Sequence, residues 1–144
     1  MQTLNSTYRQ VLREHGLDPD YSYILTSSAA MESGWGKKVS GTFNYGGVKG
    51  KTGSVKSTID WINGQYIRRN QTFRNFSSVK DYCNYVVNLL SNKRYNAFNS
   101  FSPSNPLALW RHVLDAGYGG GDSAGKDSYM RSISSIYDKV TSWA

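Results

Sequence analysis

The sequence is poor in the residues on which several kinds of chemistry depend. It has one cysteine, Cys83, among 144 residues. A single thiol excludes an internal disulfide and a thiolate metal cage. Its two histidines, His15 and His112, stand far apart and lack the spacing of metal ligands. No metal and no other cofactor is therefore expected. No apolar run approaches the ~18 residues of a membrane-spanning helix, so membrane insertion is not expected. The glycine run 119–121 has no Gly-Lys-Ser/Thr ending, which removes a phosphate loop. The first residues, Met1 to Glu14, have no apolar core of signal-peptide type. The expectation is export by another route, carriage as a phage virion protein or lysin, or origin as an excised domain of a larger secreted protein.

Aromatic residues, by contrast, are plentiful at 14%, including 11 tyrosines. That content argues against disorder, and the length suits a single domain spanning 1–144. Seventeen basic against ten acidic residues leave a net charge of +7. A basic surface favours polyanions such as nucleic acid, an anionic membrane or an anionic cell wall. The basic residues are spread along the chain without a recognised binding motif, so no nucleic-acid partner is expected.

Helical spacing of Leu4, Tyr8, Val11 and Leu12 predicts a first helix, stopped at Gly16. Asp18-Pro19 opens a second, running to Ser33 and ended by Gly34. Its small middle, Ser27-Ser28-Ala29-Ala30, suits a helix packed closely on several sides. Residues 34–54 read as loop. Val55, Ser57, Ile59 and Trp61 then alternate with Lys56, Thr58, Asp60 and Ile62 up to Asn63-Gly64, a strong hairpin turn signal. In a type I′ hairpin Ile62 faces Gln65, Trp61 faces Tyr66 and Asp60 faces Ile67, with a return strand to Phe73. Further helices are predicted after Ser77 or Ser78 and from Pro106 to a stop at Gly117. A glycine-rich loop then runs from Tyr118 to Lys126, before a last helix capped by Asp127 or Ser128. The expected class is α+β, predominantly helical, with one small β-hairpin lobe.

Of the two glutamates, Glu14 and Glu32, the second ends a helix within Met31-Glu32-Ser33-Gly34-Trp35-Gly36. The helix dipole is negative there, so ionisation is disfavoured and the pKa should rise. Trp35 would add an apolar wall. A carboxyl group that keeps its proton near neutral pH can protonate a glycosidic oxygen. The alternative is a glutamate that merely bonds a loop amide.

The segment Ala29-Ala30-Met31-Glu32-Ser33-Gly34-Trp35-Gly36, followed by Asn44-Tyr45-Gly46-Gly47-Val48-Lys49-Gly50, resembles the glucosaminidase family, glycoside hydrolase family 73. That family includes flagellar peptidoglycan hydrolases and autolysin N-acetylglucosaminidase domains. The matching order continues through the hairpin, Phe73-Arg74-Asn75-Phe76-Ser77-Ser78, Asp81-Tyr82, Arg94-Tyr95 and Ala116-Gly117-Tyr118. The resemblance implies a lysozyme-like fold and cleavage of the β-1,4 bond from N-acetylglucosamine to N-acetylmuramic acid. It implies Glu32 as general acid, an acidic residue on the hairpin, here Asp60, as second catalytic group, and Tyr118 as a catalytic tyrosine. Asp60 has a structural alternative, an ion pair with Arg69. The same resemblance puts Phe43, Asn44 and Tyr45 along the sugar groove beside Trp35, with Tyr129 as a further contributor. The expected partner is the peptidoglycan glycan strand and the expected state a monomer. Rival readings are a muramidase or lytic transglycosylase of the same fold and a non-catalytic wall-binding module.

Overall fold

A computed structural model describes residues 1–119 and 122–144, leaving out Gly120 and Gly121 and the side chains of Asp60 and Trp61. Six helices and one hairpin follow each other along the described chain: α1 (Gln2–Glu14), α2 (Ser22–Ser33), β1 (Lys49–Ile62), β2 (Gln65–Phe73), α3 (Val79–Ser91), α4 (Ala97–Ser100), α5 (Pro106–Asp115) and α6 (Ser123–Thr141). A single 3₁₀ turn, Pro19–Tyr21, leads into α2, and Asp18 caps it by accepting the Asp20 amide at 2.9 Å.

The middle of the body is α2, which packs against α1, α5 and α6. Nine of its twelve residues are buried, from Ser22 through Ser33. A helix enclosed on most sides has no polar face to turn outward, and small side chains let its neighbours approach. The buried hydroxyls still need partners. Ser27 donates to the Tyr23 carbonyl at 2.6 Å, Ser33 to the Ala29 carbonyl at 2.6 Å, and Thr26 to the Asn5 amide oxygen at 3.0 Å. Around α2 the apolar residues of α1, α3 and α5 join one core with Ile133 of α6, and Cys83 lies fully buried in it.

Strand pairing matches the expected register: Ile62 with Gln65, Trp61 with Tyr66, Asp60 with Ile67. Two expectations need correction. The first strand begins at Lys49 rather than Val55, because Gly50–Gly53 bulge between Lys49 and Ser54, both opposite Phe73, and hide the period-two pattern. The last helix begins at Ser123, capped by Asp122, whose carboxylate accepts the Gly125 amide at 2.8 Å. Asp127 therefore lies inside the helix, paired with Arg111. Gly120 and Gly121 of the expected loop are outside the described residues. The short α4 has too few residues to show a period.

The hairpin stands apart from the core. Val55, Ile59, Tyr66 and Ile67 are exposed on it, and burial returns only at Phe73. Its root is fixed by Gly53, at φ +144°, where a β-carbon would lie 2.0 Å from the Phe73 carbonyl oxygen. Gly53→Ala should therefore loosen the root selectively. Amide hydrogen exchange at Phe73 and Arg74 is expected to accelerate about tenfold or more while the amides of α2 keep their protection. Equal protection of the root in both proteins would count against this steric account.

Candidate active site

The carboxyl group of Glu32 opens into a cleft of about 510 Å³. Its walls are Gly46, Gly47, Val48 and Lys49 from the loop entering β1, Phe73 from β2, Leu89 from α3, Tyr95, and Gly117, Tyr118 and Gly119 after α5. The volume falls in the usual range for ligand sites. A single acid in mostly apolar and glycine walls is suited to delivering a proton to a bulky neutral group.

Glu32 occupies the penultimate position of α2, just before Ser33 and the left-handed Gly34. Burial by its surroundings raises its pKa above the ordinary carboxylate value, and a hydrogen bond from Tyr129 opposes part of that rise. The helix terminus acts in the same direction as burial. Tyr129 comes from α6, and its hydroxyl also meets Ser28 Oγ of α2 at 3.0 Å. Either hydroxyl can donate in that bond, which ties α6 to α2 beside the carboxyl group.

Tyr118 also walls the cleft. Arg94 Nε donates to the Ala116 carbonyl at 2.7 Å, and the Tyr118 amide donates to the Val113 carbonyl at 3.2 Å, fixing the turn after α5. The ring packs edge-on against Trp110 at 5.4 Å and Tyr95 at 6.2 Å. Burial, with the neighbouring phenols and Glu32, pushes the Tyr118 phenol far up. Burial and Glu32 do the same to Tyr129. Both phenols remain protonated donors at every physiological pH.

Gly46 is required by space. A β-carbon there would sit 2.6 Å from the Tyr82 hydroxyl and 3.2 Å from that of Tyr118. A side chain at this position would collide with the floor of the cleft.

The structure brings Glu32, Tyr118 and Tyr129 together. The other expected groove residues are not among those that wall this cleft. Asn44 is fully buried. Its Nδ2 donates to the Val48 and Arg74 carbonyls, both at 2.8 Å, and its Oδ1 accepts the Val48 amide at 3.0 Å. With those bonds made to main chain, it is a clamp that shapes the Gly46–Lys49 wall rather than a sugar contact. Trp35 has φ +61°, which turns the indole onto Trp143 at 6.4 Å, with Lys139 Nζ 6.0 Å from the ring centre. Tyr45 packs edge-on against Tyr82 at 5.5 Å. Phe43 is exposed at φ +53°. Among the described residues that wall the cleft, none of these four occurs.

Asp60 pairs with Ile67, six positions before Phe73 on β2. At ~3.4 Å per residue that is roughly 20 Å along the strand from the cleft wall. Its side chain lies outside the described residues. Sequence reasoning missed Ser28 as a partner of Tyr129, and missed Lys49, Phe73 and Leu89 as parts of the cleft. Ser28 was visible only as one small residue of a packed helix. No group of three metal-ligating side chains occurs among the described residues.

The family model described as mannosyl-glycoprotein endo-beta-N-acetylglucosaminidase, the glucosaminidase family, matches residues 5–142. Among solved structures, a C-terminally truncated glycoside hydrolase domain of Salmonella typhimurium FlgJ is 25% identical, covering 96% of this chain and 93% of its own, at a TM-score of 0.67. A peptidoglycan hydrolase mutant from Sphingomonas sp. A1 is 24% identical, covering 99% of this chain and 94% of its own, at a TM-score of 0.71. These likenesses bear out the expected mostly helical, lysozyme-like fold with a small antiparallel sheet. No curated protein matches the chain.

The raised pKa of Glu32 has a consequence for stability. A carboxyl group with a folded pKa above its unfolded value loses stability as pH rises through that window. Glu32→Gln removes the ionisation. The variant is expected to melt higher than the parent at pH 7, with the gap closing below the unfolded value of about 4.3. Thermal unfolding of the two proteins across pH checks this, and a lower melting temperature for the variant at neutral pH would contradict it.

Proposed function

The chain belongs to the glucosaminidase family and is a glycoside hydrolase, and from that premise we propose that it is a single catalytic domain cutting the β-1,4 bond from N-acetylglucosamine to N-acetylmuramic acid in peptidoglycan. The observation that carries the mechanism is the Glu32 carboxyl group, held at the cleft with a raised pKa and a tyrosine donor. The family description speaks of glycoprotein glycans, the neighbouring solved structures of peptidoglycan hydrolysis and glycoside hydrolysis. The net charge of +7 favours the anionic wall polymer over a neutral glycan.

In this reading Glu32 protonates the glycosidic oxygen as the bond breaks. Tyr129 orients the carboxyl group and keeps it from being raised so far that proton transfer becomes sluggish. Tyr118, a neutral donor in the cleft wall, bonds the acetamido group of the sugar. That contact suits either of two second steps. In one, Asp60 activates a water or steadies the oxocarbenium charge. In the other, the acetamido oxygen itself attacks, and Tyr118 or Asp60 orients it. For Asp60 to act, the exposed two-stranded ribbon must bend over the cleft, and the strong twist of such ribbons favours bending.

Digestion of purified peptidoglycan followed by mass spectrometry tests the bond. New N-acetylglucosamine reducing ends are expected. Muramic ends would mark a muramidase, anhydro-muramic ends a lytic transglycosylase, and wall binding without cleavage a binding module. Glu32→Gln is expected to lower turnover by roughly 10²–10⁴-fold with wall binding intact. Turnover near that of the parent would remove Glu32 from the acid role.

Asp60→Asn separates the two second steps. A loss of turnover above about tenfold, with unchanged melting temperature, is expected if Asp60 acts in the reaction. If Asp60 only pairs with Arg69, both Asp60→Asn and Arg69→Ala should keep turnover and share a stability loss of ~0.2–1 kcal/mol.

A further inference from the structure

A second pocket adjoins the cleft at the root of the hairpin. The four-residue bulge Gly50–Gly53 lies against Arg74 and Asn75, and these six residues line an open depression of about 730 Å³. Lys49 and Phe73 wall the cleft, and the next residue on each strand, Gly50 and Arg74, walls this pocket. The two strands are tied at that point by the Arg74 amide, which donates to the Val48 carbonyl at 2.8 Å. The pocket is therefore tied to the cleft wall at Val48.

Its polar side chains are oriented as donors. Arg74 has no acidic partner among the described residues. Its guanidinium lies over the rings of Tyr85 and Phe76, at 4.6 Å and 5.4 Å from their centres. Stacking of this kind holds the planar fork while leaving its N–H groups for an oxyanion. Lys51 likewise has no acidic partner among the described residues. The Asn75 Oδ1 accepts the Thr42 amide at 2.8 Å and the Ser54 hydroxyl at 3.0 Å. That orientation leaves its Nδ2 donors without an acceptor among the described residues. Two cations and an amide donor line the pocket, and no acidic residue among the described residues lines it.

We propose that this pocket is an oxyanion subsite that takes a carboxylate or phosphate carried by the polymer whose glycan chain lies in the cleft. The inference rests on the peptidoglycan reading above. Muramic acid carries a peptide with free carboxylates, and wall polymers attached to the same glycan carry phosphodiesters. Both present the oxygens that an arginine fork and an ammonium bind. A glycan seated at Glu32 would place its substituents beside the hairpin root. The subsite then favours glycan that still carries its anionic substituents.

The test uses Lys51→Gln, Arg74→Gln and the double variant. Lys51→Gln leaves the Arg74 stacking intact, so it stays informative if Arg74 variants unfold. Each is assayed on peptide-bearing walls stripped of phosphate polymer, on walls retaining that polymer, and on glycan stripped of both peptide and phosphate. Binding to the insoluble walls is read in parallel by co-sedimentation. The expected result is a KM on anionic walls raised about fivefold or more, weakened binding, unchanged kcat, and no change on bare glycan. An effect present on walls stripped of phosphate assigns the peptide carboxylate, and one confined to phosphate-bearing walls assigns the phosphate. Equal effects on bare and substituted glycan, or none on any substrate, would overturn the subsite. Failure of the parent protein to cleave any of the three would instead refute the peptidoglycan reading, and co-sedimentation would still read the pocket.

Discussion

The last turn of helix α2 carries Glu32, whose carboxyl group opens into the cleft, and the chemistry depends on keeping that group where its charge is disfavoured. Burial raises the Glu32 pKa, and Tyr129 limits the rise. The position can be held only if α2 is thin enough for α1, α5 and α6 to close around it. Ser27, Ser28, Ala29 and Ala30 supply that thinness and are all buried. Larger residues there would push α6 outward and carry Tyr129 away from the acid. Close packing of the interior transmits such a change directly, because a packed core has little room to absorb it. Fold and chemistry therefore depend on the same four small residues.

A second arrangement ties the helical body to the hairpin. Asn44 is buried and spends its amide on the main chain at Val48 and Arg74. One side chain thus fixes both the loop that walls the cleft and the start of the segment after β2. Beyond that point the hairpin is mostly exposed, with apolar Val55, Ile59 and Tyr66 facing outward. The rigid part of the molecule presents the acid. The exposed ribbon supplies surface beside it, basic at Arg68 and carrying Asp60 in its first strand.

Much of this was legible in the residues. Leu4, Tyr8, Val11 and Leu12 gave α1 by period, and all four are buried. Asn63-Gly64 set the hairpin register, because its turn requires positive φ at both positions, and both have it. Glu32 stood out by scarcity and by its place at a helix end. The failures have physical causes. Asp122 caps α6 through a bond three residues ahead, which glycines on both sides concealed. Asn44 looked like a groove residue in a polar loop, and only the tertiary fold brings Val48 and Arg74 to its amide. Trp35 stands only three residues after Glu32, yet its positive φ turns the ring toward Trp143. Neighbourhood along the chain does not fix direction once the backbone leaves the helix.

The central claim is that the fold raises the Glu32 pKa above that of an ordinary glutamate. The direct measurement is titration of its side-chain carboxyl carbon by NMR in protein carrying ¹³C-labelled glutamate. Glu14 is the only other glutamate, and it pairs with Lys80 on the surface. Two resonances are thus expected from the glutamate side chains, and Glu32→Gln assigns them. The account predicts a midpoint for Glu32 clearly above the ordinary value of about 4.3, moving higher still in Tyr129→Phe. A midpoint at or below the ordinary value, or one unmoved by loss of the Tyr129 hydroxyl, would contradict it.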